Sequence, residues 1–210
     1  MTRCNLGTAR RTPVNALILL FLLISSNAAQ GQNVRDAALF VAGGALGLGA
    51  HEGGHLIFNG IFGAAPGLRK VTFGPIPFFA ITHEPVSPVR EFAISSAGFG
   101  MQHASSEWIL SRRPHLRQEE APLLKGILAF NVLASAAYSG AAFATTGPDE
   151  RDTRGMAITA RVREPWIGAA ILAPAALDAA RYYKPDVVWL RWASRAAKVG
   201  GVLLIVRAKT

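Results

Sequence analysis

Cysteine is nearly absent: the 210-residue chain has one, Cys4, close to its start. No intramolecular disulfide and no cysteine-rich zinc site can be built from it, so any bound metal must be held by histidine and carboxylate. Charge is scarce too. Charged residues make up 17% of the chain against 50% hydrophobic, and mean hydropathy is +0.27, which argues against a disordered chain or a coiled coil and towards a membrane or membrane-associated protein. The 21 glycines and 12 prolines show no collagen-like period, and neither a low-complexity tract nor an internal repeat is present. Acids are fewer than bases, 13 against 22, leaving a net charge of +9. Such an excess suits nucleic acid, anionic lipid or the cytoplasmic loops of a membrane protein. The bases fall in small groups, Arg112 to Arg117 and Arg191 to Lys198, beside apolar segments and without a nucleic-acid-binding motif. Lipid contact or membrane flanks explain them better, and no nucleic-acid partner is expected.

The first 31 residues have a three-part layout: Arg3, Arg10 and Arg11 without an acid, the apolar run Val14 to Ile24, then small residues to Gly31. An apolar run of about 11 residues fits a signal peptide and falls short of the ~20 needed to span a bilayer. Residues 1–31 are therefore read as a signal peptide, with an uncleaved N-terminal anchor as the alternative. Residues 32–210 form one helical membrane domain.

Within that domain Ala37 to Gly63 is long and apolar, interrupted only by His51, Glu52 and His55, and Gly126 to Gly147 carries no charge at all. Phe92 to Leu110 and Trp166 to Leu177 are weaker helical candidates, the latter containing Pro174. In Val187 to Val206, Arg191, Arg195 and Lys198 share one helical stripe, as expected of an interfacial amphipathic helix or a span with snorkelling bases. Leu68 to Pro88 is rich in β-formers but holds four prolines, which predicts short extended pieces and turns. The predicted class is thus mainly α: a multi-pass helical membrane protein with a short extended or re-entrant segment after its first long helix.

The chemistry gathers in His51-Glu52-Gly53-Gly54-His55. Histidines four apart project from one helical face and can give two imidazoles to one tetrahedral metal, while the intervening Glu reaches a metal-bound water. Zinc brings the pKa of that water to about 7, and the Glu acts as general base. Two glycines cost a helix about 1 kcal/mol each, and they let another backbone approach closely.

HEGGH within a hydrophobic helix resembles the signature of site-2 protease-like intramembrane zinc metalloproteases, the M50 peptidases. Phe73 to Phe78 (FGPIPF) and Ser95 to Gly100 (SSAGFG) are similar to the loop and the small-residue segment that follow the motif in that family. The likeness covers about Leu39 to Asp152, but the family's Asp-Gly string is missing. It implies a zinc-dependent endopeptidase that cuts a membrane-associated protein or peptide, with the bilayer as its second partner and a multi-pass location in a bacterial inner membrane. It also implies an Asp as third ligand, after the uncharged helix. Asp152 takes that place first and Asp149 second, with Glu107, four residues beyond His103, as competitor. Asn131 is similar to a family residue that holds substrate backbone, or else makes an interhelical hydrogen bond. His83 and Glu84 are expected on the surface. Two other functions stay open: a catalytically silent membrane scaffold of the same architecture, and an exported soluble metalloprotein.

Overall fold

A computed structural model describes residues 34–73 and 76–207; the signal or anchor segment and Cys4 lie outside them. The described chain is mainly helical. In order it forms α1 (Val34–Phe62), strands β1 (Gly67–Phe73) and β2 (Ile76–Thr82), α2 (Pro88–Arg112), a 3-10 turn (Leu116–Gln118), α3 (Pro122–Ala144), α4 (Asp152–Ala160), α5 (Glu164–Tyr183) and α6 (Val188–Arg207). Prolines start α2 and α3 at the first helical position, where the missing N–H is harmless. Helix α5 continues through the buried Pro174, so Trp166 to Leu177 belongs to a longer helix than its sequence suggested.

Helix α1 buries a stripe of Gly43, Gly47, His51, Gly54, His55 and Asn59. These repeat at helical spacing, and most are too small or too polar to make an ordinary apolar core. Small residues do other work here. A Cβ on Gly43 would lie 2.1 Å from the Leu123 carbonyl oxygen, and one on Gly126 2.0 Å from that of Phe40, so α1 and α3 cross with their backbones in contact. The two helices run parallel, and α2 runs antiparallel to both.

Between α2 and α3 lies a ladder of buried amides and hydroxyls. The Asn131 side-chain amide donates to the Gln102 carbonyl and to the hydroxyls of Ser105 and Ser106, while Ser139 donates to the Ser135 and Gly168 carbonyls. Large apolar side chains point the other way: Val41, Leu46, Ile57, Ile61, Trp166 and Trp189 are all exposed. Conventional apolar packing survives in two clusters, Phe92, Phe99, Met156, Ala157, Ile167 and Ile171 at one end and Ile109, Leu110, Leu116 and Leu128 at the other. Among the described residues one helix, α3, is long and apolar enough to cross a membrane. The expected first span, α1, is long enough but diluted by its glycines and by the His-Glu-His set.

The proline-rich segment forms a hairpin with β1 and β2 antiparallel and in register from Gly67 opposite Thr82. Seven residues per strand is longer than the expected short pieces. Pro77 is accommodated because the sheet has only two strands, so its missing N–H can face outward.

Helix α6 is held to α2 and α5 by a charge network in which Asp178 and Arg181 are buried and Glu107 and Arg195 partly exposed. Glu107 meets Arg181 at 2.6 Å, Lys198 at 2.8 Å and Arg195 at 2.9 Å, and Asp178 accepts from Ser194 at 2.6 Å and Lys198 at 2.8 Å. Arg195 and Lys198, expected on a lipid- or solvent-facing stripe, therefore turn inward, and Arg191 alone of the three is fully exposed.

Candidate metal centre

The site is assembled from α1, α2, α3 and the start of α4. His51 and His55 lie on the buried face of α1, and the ring of His51 rests on the backbone of α2 at Gly98, where a Cβ would come within 2.5–2.6 Å of three ring atoms. His55 Nδ1 donates to the Ile94 carbonyl at 2.8 Å. That bond fixes the tautomer, leaving the Nε2 lone pair directed into the site. The segment Ser95 to Gly100, which the sequence had marked, thus lies beneath His51, and Ile94 just before it supports His55.

Asp152 arrives from 101 residues downstream, as the first residue of α4. Its Oδ2 lies 3.3 Å from His51 Nε2 and 3.4 Å from His55 Nε2, and the two Nε2 atoms are 3.3 Å apart. The three ligand atoms form a nearly equilateral triangle. A tetrahedral ion with bonds of about 2.0–2.1 Å, the usual zinc–nitrogen and zinc–carboxylate lengths, separates its ligand atoms by roughly 3.3–3.4 Å. The residues present therefore fit a metal ion of that size and coordination. Burial alone would push the Asp152 carboxyl up, but the two imidazoles beside it hold it well below the usual carboxylate range.

The other expected ligands lie elsewhere. Asp149 is exposed and pairs with Arg154. Glu107 is engaged by Arg181, Arg195 and Lys198, nine residues along α2 from Gly98 and hence about 13 Å away. Asn131 is buried and bonded to α2, lies seven residues or about two helical turns from Tyr138, and does not line the cavity. His83, expected on the surface, is largely covered and sits 3.3 Å from Glu91.

Glu52, Tyr138 and Asp152 line a narrow cavity of about 40 Å³, closed on one side by Val71, Phe79, Ala80 and Ile81 of the hairpin. Such a volume holds a water or two. Tyr138 was not singled out by the sequence: it lines the cavity with Asp152, and its ring stacks at a tilt on His51 with centroids 5.7 Å apart. The Asp152 loop has its own clamp. Arg151 holds Glu164 through two 2.7 Å bonds and also donates to the Gly147 and Pro148 carbonyls, while Thr153 donates to Glu164 at 2.7 Å. Burial would raise the Glu164 carboxyl, yet Arg151 and Thr153 keep it below its ordinary value. Outside, Arg69 of β1 reaches Glu150 at 2.6 Å and ties the hairpin to the same loop.

No protein family, curated protein or solved structure was found to match the chain.

Proposed function

We propose that the chain is a zinc-dependent endopeptidase that hydrolyses a peptide bond in a membrane-associated protein or peptide. The observation that carries this is the buried triangle of His51, His55 and Asp152 with edges of 3.3–3.4 Å, beside the carboxylate of Glu52. Two histidines and a carboxylate also serve iron(II) oxygenases, but three neighbouring positions of an octahedron with similar bonds have edges nearer ~3.0 Å. Calcium and magnesium are disfavoured because they prefer all-oxygen shells.

When bound, zinc supplies Lewis-acid polarisation and makes water acidic enough to attack at neutral pH. The chain's residues do the rest. Glu52 accepts the proton of the attacking water and returns it to the leaving amine. The two histidines hold Asp152 in place, and the Arg151–Glu164 pair keeps its loop from shifting. An extended substrate lying along the hairpin would pass the cavity at Phe79 to Ile81.

Membrane association is supported by the exposed apolar side chains, the buried polar seam and the apolar length of α3. The multi-pass arrangement extends this to α1, α2 and α5, whose outer faces carry Leu46, Ile57, Trp108 and Trp166. A second reading, a silent scaffold that binds metal without hydrolysis, is favoured by one observation. The cavity of about 40 Å³ beside Glu52 and Asp152 has room for a water or two but none for a peptide. Detergent-purified protein tested on membrane-protein substrates separates the two. Cleavage that stops in Glu52→Gln, with zinc retained, supports the endopeptidase; bound zinc with no cleavage by wild type supports the scaffold.

A further inference from the structure

His51 has two ring nitrogens, and the metal centre accounts for one. Its Nε2 faces Asp152 Oδ2 and His55 Nε2, while its Nδ1 is buried without a hydrogen-bond partner among the described residues. His55 differs, because its Nδ1 donates to the Ile94 carbonyl. A histidine that gives its Nε2 lone pair to a metal carries its proton on Nδ1, and metal-bound histidines almost always donate that proton to an acceptor. Gln102 has the matching gap. Its side chain is buried, its Oε1 accepts from Ser135 Oγ at 3.4 Å, and its Nε2 has no partner among the described residues.

The helix geometry brings this amide to the His51 ring. A Cβ on Gly98 would lie 2.6 Å from His51 Nδ1, and Gln102 stands one turn further along α2. Side chains four apart on a helix have Cβ atoms about 5–6 Å apart and lean towards the helix N-terminus, so Gln102 leans over the bare Gly98 turn onto the ring. Direction agrees as well. Helix α2 runs antiparallel to α1, so His51 Nε2, turned to His55, faces the Ile94 end of α2, and Nδ1 on the other side of the ring faces the Gln102 end. Ser135, which holds the amide oxygen, lies three residues before Tyr138, whose ring rests on His51. Two donors cannot bond each other, but a water offers two lone pairs, and buried waters typically satisfy about three such groups. Asn131 Oδ1, a buried acceptor without a partner among the described residues, lies on the turn of α3 next to Ser135, so this seam holds two donors and one acceptor to be matched. We infer that Gln102 is a positioning residue of the metal centre, holding the His51 ring through one buried water that accepts from His51 Nδ1 and Gln102 Nε2. This rests on the metal-binding part of the function proposed above and not on peptide hydrolysis.

Nuclear magnetic resonance of detergent-purified, zinc-loaded protein carrying isotope-labelled histidine tests it. The expected result is two slowly exchanging Nδ1–H signals, from His51 and His55, with a cross-peak to bound water for His51. Gln102→Met, which keeps the side-chain volume and removes the amide, should shift or broaden the His51 signal, leave that of His55 in place and weaken zinc binding about 10–100-fold. Ser106→Ala is the control. It removes a 2.9 Å contact of Asn131 in the same seam of α2 and α3, and should lower the unfolding temperature with both signals and the zinc affinity at wild-type values. A His51 signal unmoved in Gln102→Met, or moved equally in Ser106→Ala, overturns the inference. So does a zinc-loaded wild type without the water cross-peak, a readout that needs no variant to fold. A wild type that binds no zinc rejects the metal centre and this inference together; any of the other failures, with zinc in place, rejects the role of Gln102 alone.

Discussion

Replacing Gly98 by alanine should remove metal binding while leaving the helices in place. The His51 ring lies where the new Cβ would go, 2.5 Å from Cε1 and 2.6 Å from Nδ1 and Nε2. Carbon atoms in contact sit about 3.4 Å or more apart, so the ring must retreat by roughly 0.8–0.9 Å. Ligand distances in a metal site tolerate about 0.2 Å. The displacement is some four times larger, and it acts on a ligand atom directly, whereas losing a supporting contact already costs about 10–100-fold in affinity. Zinc affinity should fall by about 100-fold or more. Stability should move less: alanine gains about 1 kcal/mol of helix propensity over glycine, and the overlap costs about 1–3 kcal/mol. Chelator competition gives the affinity, and thermal unfolding of the metal-free protein gives the stability. Gly53→Ala is the control, because a Cβ there meets nothing within 4 Å; it should keep the zinc and stabilise the apo-protein. Wild-type zinc affinity in Gly98→Ala would refute the placement of His51.

The remaining expectations follow from the same geometry. Asp149→Ala should retain zinc, since its carboxylate pairs with Arg154 away from the triangle. Glu107→Gln should also retain zinc but lose about 1–3 kcal/mol of stability by weakening the bonds to Arg181, Arg195 and Lys198, of which Arg181 and Lys198 keep Asp178, read as a lower unfolding temperature. Glu164→Gln should weaken zinc binding by about 10–100-fold through the loosened Asp152 loop. Because the folded Glu164 carboxyl lies below its ordinary 4.5, the stability it contributes is fully present above that value and lost as pH falls through the folded value. Acid should therefore destabilise wild-type apo-protein more than Glu164→Gln, and parallel acid titrations of the two would disprove this. Gly126→Ala should separate α1 from α3, because a Cβ 2.0 Å from the Phe40 carbonyl oxygen cannot be accommodated by side-chain motion; unfolding and metal loss should then occur together.

Parts of this site could be read in the sequence because they are local. His51 and His55 share a face by helical arithmetic alone, and a carboxylate between them has few other reasons to sit in an apolar helix. Asp152 is different: spacing says nothing about a residue 101 positions away, and only the family resemblance, which implies an Asp after the uncharged helix, pointed to it. Tyr138 gave no signal, since a tyrosine in an apolar helix reads as packing until the helix crossing sets its ring against His51. Gly98 was legible only as one of several small residues. Helical arithmetic also gives relative faces and not absolute ones, which is why Arg195 and Lys198 were placed outward: Glu107 and Asp178, from two other helices, decide which way that stripe turns. The prolines of the hairpin masked its register for a related reason. Their cost depends on which side of the strand is paired, a tertiary fact.

The central claim is that His51, His55 and Asp152 hold one zinc ion. Metal analysis of detergent-purified wild type beside Asp152→Ala tests it most directly. One zinc per chain in wild type and loss of it in Asp152→Ala is the expected result; a wild type without zinc, or an Asp152→Ala protein with the full wild-type content, would contradict the account.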